Sequence, residues 1–188
     1  MSRENRICDW AEGSKVEREY HDNEWGIPNH DDRYLFEMLI LEGAQAGLSW
    51  SIILNKRNEY KKAFDNFEPS IVAKYSMKKR EELLNNKGIV RNKRKIESAI
   101  NNAIRFLEVQ EEFGTFDKYI WSFTNGKQVI NRWAKIEDVP SSSDLSRRIS
   151  ADLKMRGFTF VGEVIIYSYL QAIGVIDDHL VYCCRNKQ

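Results

Sequence analysis

The spacing of apolar residues predicts helices along almost the whole chain. Two segments show the 3.6-residue period most clearly, and their apolar positions are Leu35, Phe36, Leu39 and Ile40 in the first and Ile96, Ile100, Ala103 and Leu107 in the second. Residues suited to capping a helix precede the predicted helices: Asp31, Asp32, Ser49, Ser76, Asn92, Thr115 and the polar run 141–144. No segment sustains a period of two. We therefore expect an all-α fold of about eight to ten helices, with the irregular stretch 125–143 as a surface connection.

Composition excludes several classes of protein. The chain has 188 residues, 42% of them hydrophobic and 30% charged, which is typical of an ordinary globular protein. No apolar run approaches the roughly 18 residues of a membrane span, and the start of the sequence leads into no secretory signal. Three cysteines give no disulfide framework, so we expect a reducing, cytoplasmic location. With a net charge of +1, binding to nucleic acid would need a local basic face.

Cysteine and histidine residues near the two ends suggest a metal site. Cys8 and His21 lie near the start, and His179 and Cys183 lie four residues apart near the end, where a helix would place them on one face. Two thiolates and two imidazoles form the tetrahedral set that structural zinc prefers. The spacing from Cys8 to His21 matches no short zinc-finger pattern, so packed core residues remain the alternative. We expect Cys184, about 100° from Cys183 on such a helix, to be a partly buried free thiol.

A glycine-rich turn between two predicted helices suggests a phosphate contact. Gly157 stands where the first helix must stop, and Gly162 stands at the start of the next, with Lys154 and Arg156 beside them. Backbone N–H groups at the second helix's N-terminus would face a phosphate, as in a helix–hairpin–helix motif that holds a DNA backbone. An ordinary corner between two helices is the alternative.

Two basic clusters raise the same question. Residues 78–80 and 91–95 are rich in lysine and arginine. Most such runs are solvated helix faces, and we expect this of the first cluster. The second cluster follows a turn beside a helix start and is the better candidate for a phosphate contact.

One carboxylate stands in an apolar setting. Glu42 ends an apolar helix beside Gly43 and Gly47, close in sequence to Trp50. Carboxylates are seldom buried unless they are paired or functional, so Glu42 is a candidate acceptor for a polar or cationic ligand. The alternative is a salt bridge between Glu42 and an arginine.

Several separated motifs together resemble one family, the bacterial 3-methyladenine DNA glycosylase I (Tag) family. The similarity extends from Cys8 to Cys184. It rests on the following segments: Tyr20-His-Asp-Asn-Glu-Trp-Gly26, Leu41-Glu-Gly-x-Gln-Ala-Gly-Leu-Ser-Trp50, Trp121-Ser-Phe-x-Asn-Gly126, Arg156-Gly-Phe-x-Phe-Val-Gly162 and Asp178-His-x-x-x-Cys183.

The resemblance implies a fold, a metal and an activity. Residues 1–188 would form one unit with the helix–hairpin–helix glycosylase fold, consisting of two closely packed helical lobes with a base pocket between them. One structural zinc would bind Cys8, His21, His179 and Cys183. The pocket would contain Tyr20, Trp25, Glu42 and Trp50, and the DNA backbone would contact Lys154, Arg156, Gly157, Phe160 and Gly162. The expected activity is release of 3-methyladenine from alkylated double-stranded DNA by a monomer, without a lyase step.

At two positions this sequence differs from what the family pattern leads us to expect. Related superfamily members use an Asp near the position of Asp177 to stabilise the sugar cation, whereas the Tag family is held to lack a functional equivalent. Asp177 is thus a candidate catalytic residue, and the alternative is that Asp177 and Asp178 cap the last helix and support His179. Glu17 stands where the family usually has a tyrosine, so the pocket rim would differ here.

Two other functions compete with the glycosylase. A zinc hydrolase would keep one metal position open for water, whereas four protein ligands would close the site. A non-enzymatic helix–hairpin–helix module would bind DNA without requiring Glu42.

Overall fold

The computed structural model describes residues 6–186 and is built mainly of helices. In this part of the chain the α-helices are α1 (Lys15–Asn23), α2 (Asp32–Gln45), α3 (Trp50–Ala63), α4 (Pro69–Val72), α5 (Met77–Asn85), α6 (Lys93–Phe113), α7 (Phe116–Ser122), α8 (Asp144–Met155) and α9 (Glu163–Ala172). Short 3₁₀ segments cover Asp9–Glu12, Asp65–Phe67 and Ile136–Asp138. Strands β1 (Val129–Ile130) and β2 (Ile176–Asp177) form a two-residue parallel ladder that the sequence pattern did not predict. The expectation of a mainly helical protein is confirmed.

Side-chain caps fix the helix starts as the sequence predicts. Asp31 accepts a hydrogen bond from the backbone N–H of Tyr34 at 2.9 Å, and Asn92 accepts one from Lys95 at 3.2 Å. These bonds satisfy first-turn N–H groups that lack a partner within the helix. Gly114 ends α6 with φ = 87°, a backbone conformation that glycine adopts without a Cβ clash.

Helix α2 is buried on nearly all sides, and it carries Glu42. It packs against α3, α6, α7 and α9, so few of its side chains are exposed to water. Its other buried acid, Glu37, accepts a hydrogen bond from Arg57 Nε at 2.6 Å. Among residues 6–186, no helix is long and apolar enough to cross a membrane.

The segment after α9 corrects the prediction of a final helix. It forms β2, an extended stretch and turns, so His179 and Cys183 do not share a helix face. Its backbone bonds to the chain near β1 instead: Asn131 N–H donates to the Asp177 carbonyl at 2.9 Å, and Val181 N–H donates to Trp133 at 3.0 Å. The prediction that Asp177 and Asp178 cap a helix is therefore wrong.

Candidate functional site

The two ends of the described chain meet at a buried cluster of possible metal ligands. One ligand atom from each of Cys8, His21 and Cys183 lies within 4.8 Å of the others. His21 Nε2 is 3.5 Å from Cys183 Sγ. The sequence placed these residues far apart, and the fold brings them together through α1 and the turns after β2.

His179 borders this three-residue cluster without belonging to it in the present geometry. Its ring meets that of His21 edge-on, with centroids 4.9 Å apart. His179 Nδ1 lies 2.7 Å from Asp177 Oδ1, and His21 Nδ1 lies 2.8 Å from Asp22 Oδ1. In both rings the carboxylate engages Nδ1 and leaves Nε2 to act as a ligand. His179 Nε2 is buried and has no hydrogen-bond partner in the described chain.

The environment of the two cysteines favours a thiolate at one of them. The hydrogen bond from the Cys8 thiol, together with that from His21, lowers the pKa of Cys183 to about 4. The same hydrogen bond to Cys183, together with burial, raises the pKa of Cys8 above its usual range. A thiolate is the form in which cysteine binds a metal, so the donor set suits zinc.

Gly26 is required where the chain passes this cluster. Its φ is 70°, and a Cβ at this position would lie 2.9 Å from His179 Cε1. Any larger residue would displace the imidazole ring. The Trp25-Gly26 pair of the sequence motif therefore has a steric basis.

A cavity of about 240 Å³ lies beside the cluster and contains all four predicted pocket residues, Tyr20, Trp25, Glu42 and Trp50. The sequence analysis did not assign the remaining lining residues to the pocket: Cys8, Trp10, Gln45, Ile136, Val139, Ser168, Gln171, Asp178 and Leu180. Trp10 and Gln45 had a signal that could have found them, since they lie within a few residues of Cys8 and Glu42, and Cys8 and Asp178 already stood among the named candidates for other roles. Residues 136, 139, 168 and 171 carry no such signal.

Glu42 is one of two buried acids that line this cavity, and Asp178 is the other. Glu42 is 4% exposed, and its Oε2 atom has no hydrogen-bond partner in the described chain. Burial raises the pKa of Glu42 to about 8. Within residues 6–186 no ion pair joins Glu42 to an arginine, so the structure does not contain the alternative salt bridge. Glu37 on the same helix is paired in that way with Arg57.

Aromatic rings form much of the cavity wall. The rings of Tyr20 and Trp50 meet edge-on with centroids 5.3 Å apart, and those of Trp10 and Trp25 do so at 5.1 Å. The Nε1 atom of Trp50 is buried and lacks a partner among the described residues. The cavity thus offers π faces, the unpartnered N–H donor of Trp50 and the unpartnered Oε2 atom of Glu42, a combination suited to a flat, polar, cationic ligand.

The two neighbouring aspartates have different surroundings. Asp177 lies next to His179 and does not line the cavity. Asp178 does line it, and its two oxygens accept four hydrogen bonds, from Asn131 at 2.7 Å, Trp133 at 2.8 Å, Tyr167 at 2.6 Å and Gln171 at 2.6 Å. These donors fix the Asp178 carboxylate rigidly.

The glycine-rich turn joins α8 to α9 as the sequence predicts. Gly157 has φ = 85°, Phe160 has φ = 54°, and Gly162 is the N-cap of α9. Lys154 is exposed at the end of α8. Arg156 donates to Asp152 at 2.6 Å and to Glu112 at 2.7 Å, so its guanidinium already has two carboxylate partners.

The basic clusters also have internal partners. In the first cluster, Lys79 pairs with Asp65 and Arg80 pairs with Glu97, and both basic side chains are partly buried, so only Lys78 is exposed as a solvated face predicts. In the second cluster, the first four residues, 91–94, are exposed. Lys95 points inward and donates to two backbone carbonyls of the segment that ends α2.

Glu17 has a local structural role. Its carboxylate accepts a hydrogen bond from the Ser14 hydroxyl at 2.8 Å, and the same hydroxyl accepts one from the Glu17 N–H at 3.2 Å. This arrangement caps α1. Glu17 is not among the residues that line the cavity.

The fold is that of a helical protein with a cavity lined by aromatic rings and carboxyl groups, and comparison with known proteins specifies the family. The family model for methyladenine glycosylase matches residues 10–186. The chain is 41% identical over 177 residues to DNA-3-methyladenine glycosylase 1 of Escherichia coli (strain K12), which covers 94% of this chain and 95% of the relative. The chain therefore belongs to the methyladenine glycosylase family.

Solved structures agree with this assignment. A 3-methyladenine DNA glycosylase I from Staphylococcus aureus superposes with a TM-score of 0.94 at 35% identity, covering 100% of this chain and 99% of the other. A tyrosine-to-phenylalanine variant of 3-methyladenine DNA glycosylase I in complex with 3-methyladenine gives a TM-score of 0.93 at 35% identity, covering 97% and 98%.

Proposed function

We propose that this chain is a DNA glycosylase that hydrolyses the N-glycosidic bond of 3-methyladenine and releases the free base. Its family and the names of its relatives support this activity. The observation that carries it most directly is the buried, unpaired carboxyl group of Glu42 in a cavity walled by tyrosine and tryptophan.

The charge on the substrate base explains why these groups suffice. A 3-methyladenine nucleotide carries a positive charge on its base. When the bond between C1′ and N9 breaks, its electron pair passes to the base and neutralises that charge. Water then bonds to the oxocarbenium-like C1′ and loses a proton, which leaves an abasic site. The protein's main tasks are therefore to extrude the nucleotide and to select the damaged base.

The roles of the pocket residues follow from their chemistry. The rings of Tyr20, Trp25 and Trp50 would attract a cationic base, at about 1–2 kcal/mol for each desolvated contact. Glu42 would accept hydrogen bonds from the edge of the base. Burial raises the pKa of Glu42 to about 8, and a bound cation would shift it towards the carboxylate. A neutral adenine gives no such stabilisation, so it would leave the pocket more readily.

The turn between α8 and α9 would act as a helix–hairpin–helix contact with the DNA backbone. Gly157, Phe160 and Gly162 shape the turn, and exposed Lys154 adds charge near it. Arg156 would act mainly by holding α8 in place, because Asp152 and Glu112 engage it. We infer a double-stranded substrate, since base extrusion presupposes a duplex.

We also infer that the protein acts as a monomer of two packed lobes. Residues from the first 50 positions and from the region after residue 136 line the same cavity, so one chain supplies a complete pocket. The pocket would lie where these two parts of the chain meet.

We infer a structural zinc on Cys8, His21, His179 and Cys183. The fit rests on the buried three-residue cluster, on the partnerless His179 Nε2 and on the carboxylates that engage Nδ1 of both histidines. Bound zinc would join the two ends of the fold, and four protein ligands would leave no position for a catalytic water.

Asp177 would orient the His179 ring for zinc binding, since its carboxylate lies within hydrogen-bond distance of His179 Nδ1 and it does not line the cavity.

The activity is tested with methylated duplex DNA and chromatographic separation of the released bases. We expect the protein to release 3-methyladenine selectively over 7-methylguanine and to leave abasic sites without cutting the strand. Duplex binding without release of any alkylated base would contradict the proposal and favour a non-enzymatic DNA-binding protein.

A further inference from the structure

One polar face of α6 contacts both the hairpin turn and the end of the helix that carries Glu42. Lys95, Ser98 and Asn102 lie at spacings of three and four residues, so they share this face. The hairpin here means residues 157–162. Ser98 and Asn102 are buried, at 7% and 2% exposure. Buried polar groups of this kind need hydrogen-bond partners, and the hairpin supplies them.

Asn102 forms two hydrogen bonds with the backbone of one hairpin residue, one as acceptor and one as donor. Its Oδ1 accepts from the Thr159 backbone N–H at 2.9 Å, and its Nδ2 donates to the Thr159 carbonyl at 2.9 Å. Ser98 Oγ donates to the same carbonyl at 3.2 Å. These bonds fix both polar groups of the residue just before Phe160, whose positive φ of 54° is an unfavourable conformation for a side-chain-bearing residue.

Lys95 holds the end of α2 from the same face. Its Nζ donates to the carbonyls of Ala44 and Ala46, each at 2.7 Å. The last carbonyls of a helix lack partners within the helix and carry partial negative charge, so a lysine there stabilises the helix end. Glu42 lies in this last turn of α2, and Gln45 of the same turn also lines the cavity.

The hairpin also touches α2 directly. A Cβ on Gly43 would lie 3.4 Å from the Cβ of Phe160. Gly43, Ala44, Lys95, Asn102 and Phe160 all border one small void between α2, α6 and the hairpin. Phe160 of the hairpin and Gly43, the residue next to Glu42, are therefore neighbours.

We propose that Lys95 and Asn102 are positioning residues, and that α6 sets the relation between the DNA-backbone contact and the base pocket. Asn102 fixes the hairpin, and Lys95 fixes the α2 turn that carries Glu42. This inference rests on the proposed glycosylase function, because the hairpin and the pocket bind parts of one substrate. It gives Lys95 a role other than phosphate contact.

Binding of free 3-methyladenine and binding of undamaged duplex test the two residues separately. Tryptophan fluorescence reports on the pocket, and fluorescence anisotropy of labelled duplex reports on the hairpin. For Lys95→Met we expect the dissociation constant of the free base to rise about fivefold or more. Lys93→Met removes the same charge from an exposed position two residues away, and we expect it to leave free-base affinity unchanged. A phosphate-contact role for Lys95 would leave free-base affinity intact in both variants, and that result would overturn its positioning role.

For Asn102→Asp we expect the opposite pattern. The new carboxylate keeps an acceptor for the Thr159 N–H and loses the donor to the Thr159 carbonyl. The dissociation constant of the duplex should therefore rise about tenfold, with free-base affinity within twofold of wild type.

A second variant and a control support this test. Ser98→Ala, a milder change, should weaken duplex binding about twofold to threefold. Ile100→Ala, a core truncation on the same helix, controls for general destabilisation and should change the melting temperature without this split. Unchanged duplex affinity in folded Asn102→Asp and Ser98→Ala, or a parallel loss of both affinities, would overturn the proposal. Neither binding measurement requires base release, so failure of the proposed enzymatic activity would be seen separately in the wild type.

Discussion

Asp177 Oδ1 lies 2.7 Å from Nδ1 of His179 and also accepts the backbone N–H of that residue at 3.1 Å. The two contacts hold the imidazole so that Nε2 points away from the carboxylate. Under the proposed zinc site this relationship would make Asp177 a residue that orients a metal ligand, and Asp177 does not line the cavity.

Asp177→Asn is the variant that tests this separation. Substitution of a residue that orients a metal ligand typically weakens metal affinity by about 10-fold to 100-fold, and we expect a loss of zinc affinity in that range. The rate of base release by zinc-loaded enzyme should stay near that of wild type, because Asp177 does not line the cavity. Competition with a chromophoric chelator measures the first effect, and single-turnover release measures the second. Loss of release by fully loaded protein would make Asp177 catalytic.

Zinc removal should affect stability before chemistry. Cys183→Ala, or treatment with a strong chelator, should lower the melting temperature, since the cluster joins chain segments more than 150 residues apart in sequence, such as His21 and Cys183. Cys184→Ala is the matched control, because Cys184 is exposed, not partly buried as the sequence predicted, and lies outside the cluster. A zinc-free protein with an unchanged melting temperature and no activity would contradict a structural role.

Glu42 should make the folding stability depend on pH. Its pKa rises from 4.5 in the unfolded chain to about 8 in the fold, so the folded state binds the extra proton between these values. The stability of the wild type relative to Glu42→Gln should therefore be greatest below pH 4.5 and decline as the pH rises through 8. The loss should amount to a few kcal/mol at most, by the order of magnitude of such shifts. Denaturant unfolding of both proteins at several pH values measures it, and a difference that does not change with pH would rule out a buried, titrating Glu42.

Trp50→Phe tests the N–H donor of the pocket. The change keeps an aromatic face and removes Nε1, which is buried and has no partner in the described chain. A hydrogen bond from this atom to the base would be worth about 0.5–1.5 kcal/mol, so we expect free-base affinity to fall about threefold to tenfold. Trp121→Phe serves as a control, since Trp121 Nε1 already donates to the Asn29 carbonyl and both residues lie outside the cavity lining. Equal affinity in Trp50→Phe and wild type would show that the donor does not contact the base.

Local sequence signals predicted the helices well, because caps and glycines act within a few residues. Asp31 and Asn92 take the predicted roles at the starts of their helices. The final segment was mispredicted for the complementary reason. Its backbone hydrogen bonds go to residues 129–133, and this pairing over more than 40 residues has no local signature.

The site was predictable where its residues stand in recognisable motifs. Tyr20, Trp25, Glu42 and Trp50 do line one cavity. The inward direction of Lys95 was not predictable. A run of basic residues has the same sequence pattern whether all its side chains face solvent or one of them binds the end of a neighbouring helix. The surroundings of Asp178 were not predictable either, since its four donors come from two other segments, residues 131–133 and helix α9.

The most direct test of the glycosylase function is the single-turnover rate of 3-methyladenine release from duplex DNA by wild type and Glu42→Gln. Both proteins should fold and bind undamaged duplex alike, because the Glu42 side chain lines the cavity, whereas it is the neighbouring Gly43 that contacts the hairpin. We expect wild type to release 3-methyladenine and Glu42→Gln to do so about tenfold more slowly or worse, since the neutral amide loses the charge that favours a cationic base. Equal release rates in the two proteins would contradict the role of Glu42, and no release by folded, zinc-loaded wild type would contradict the enzyme itself.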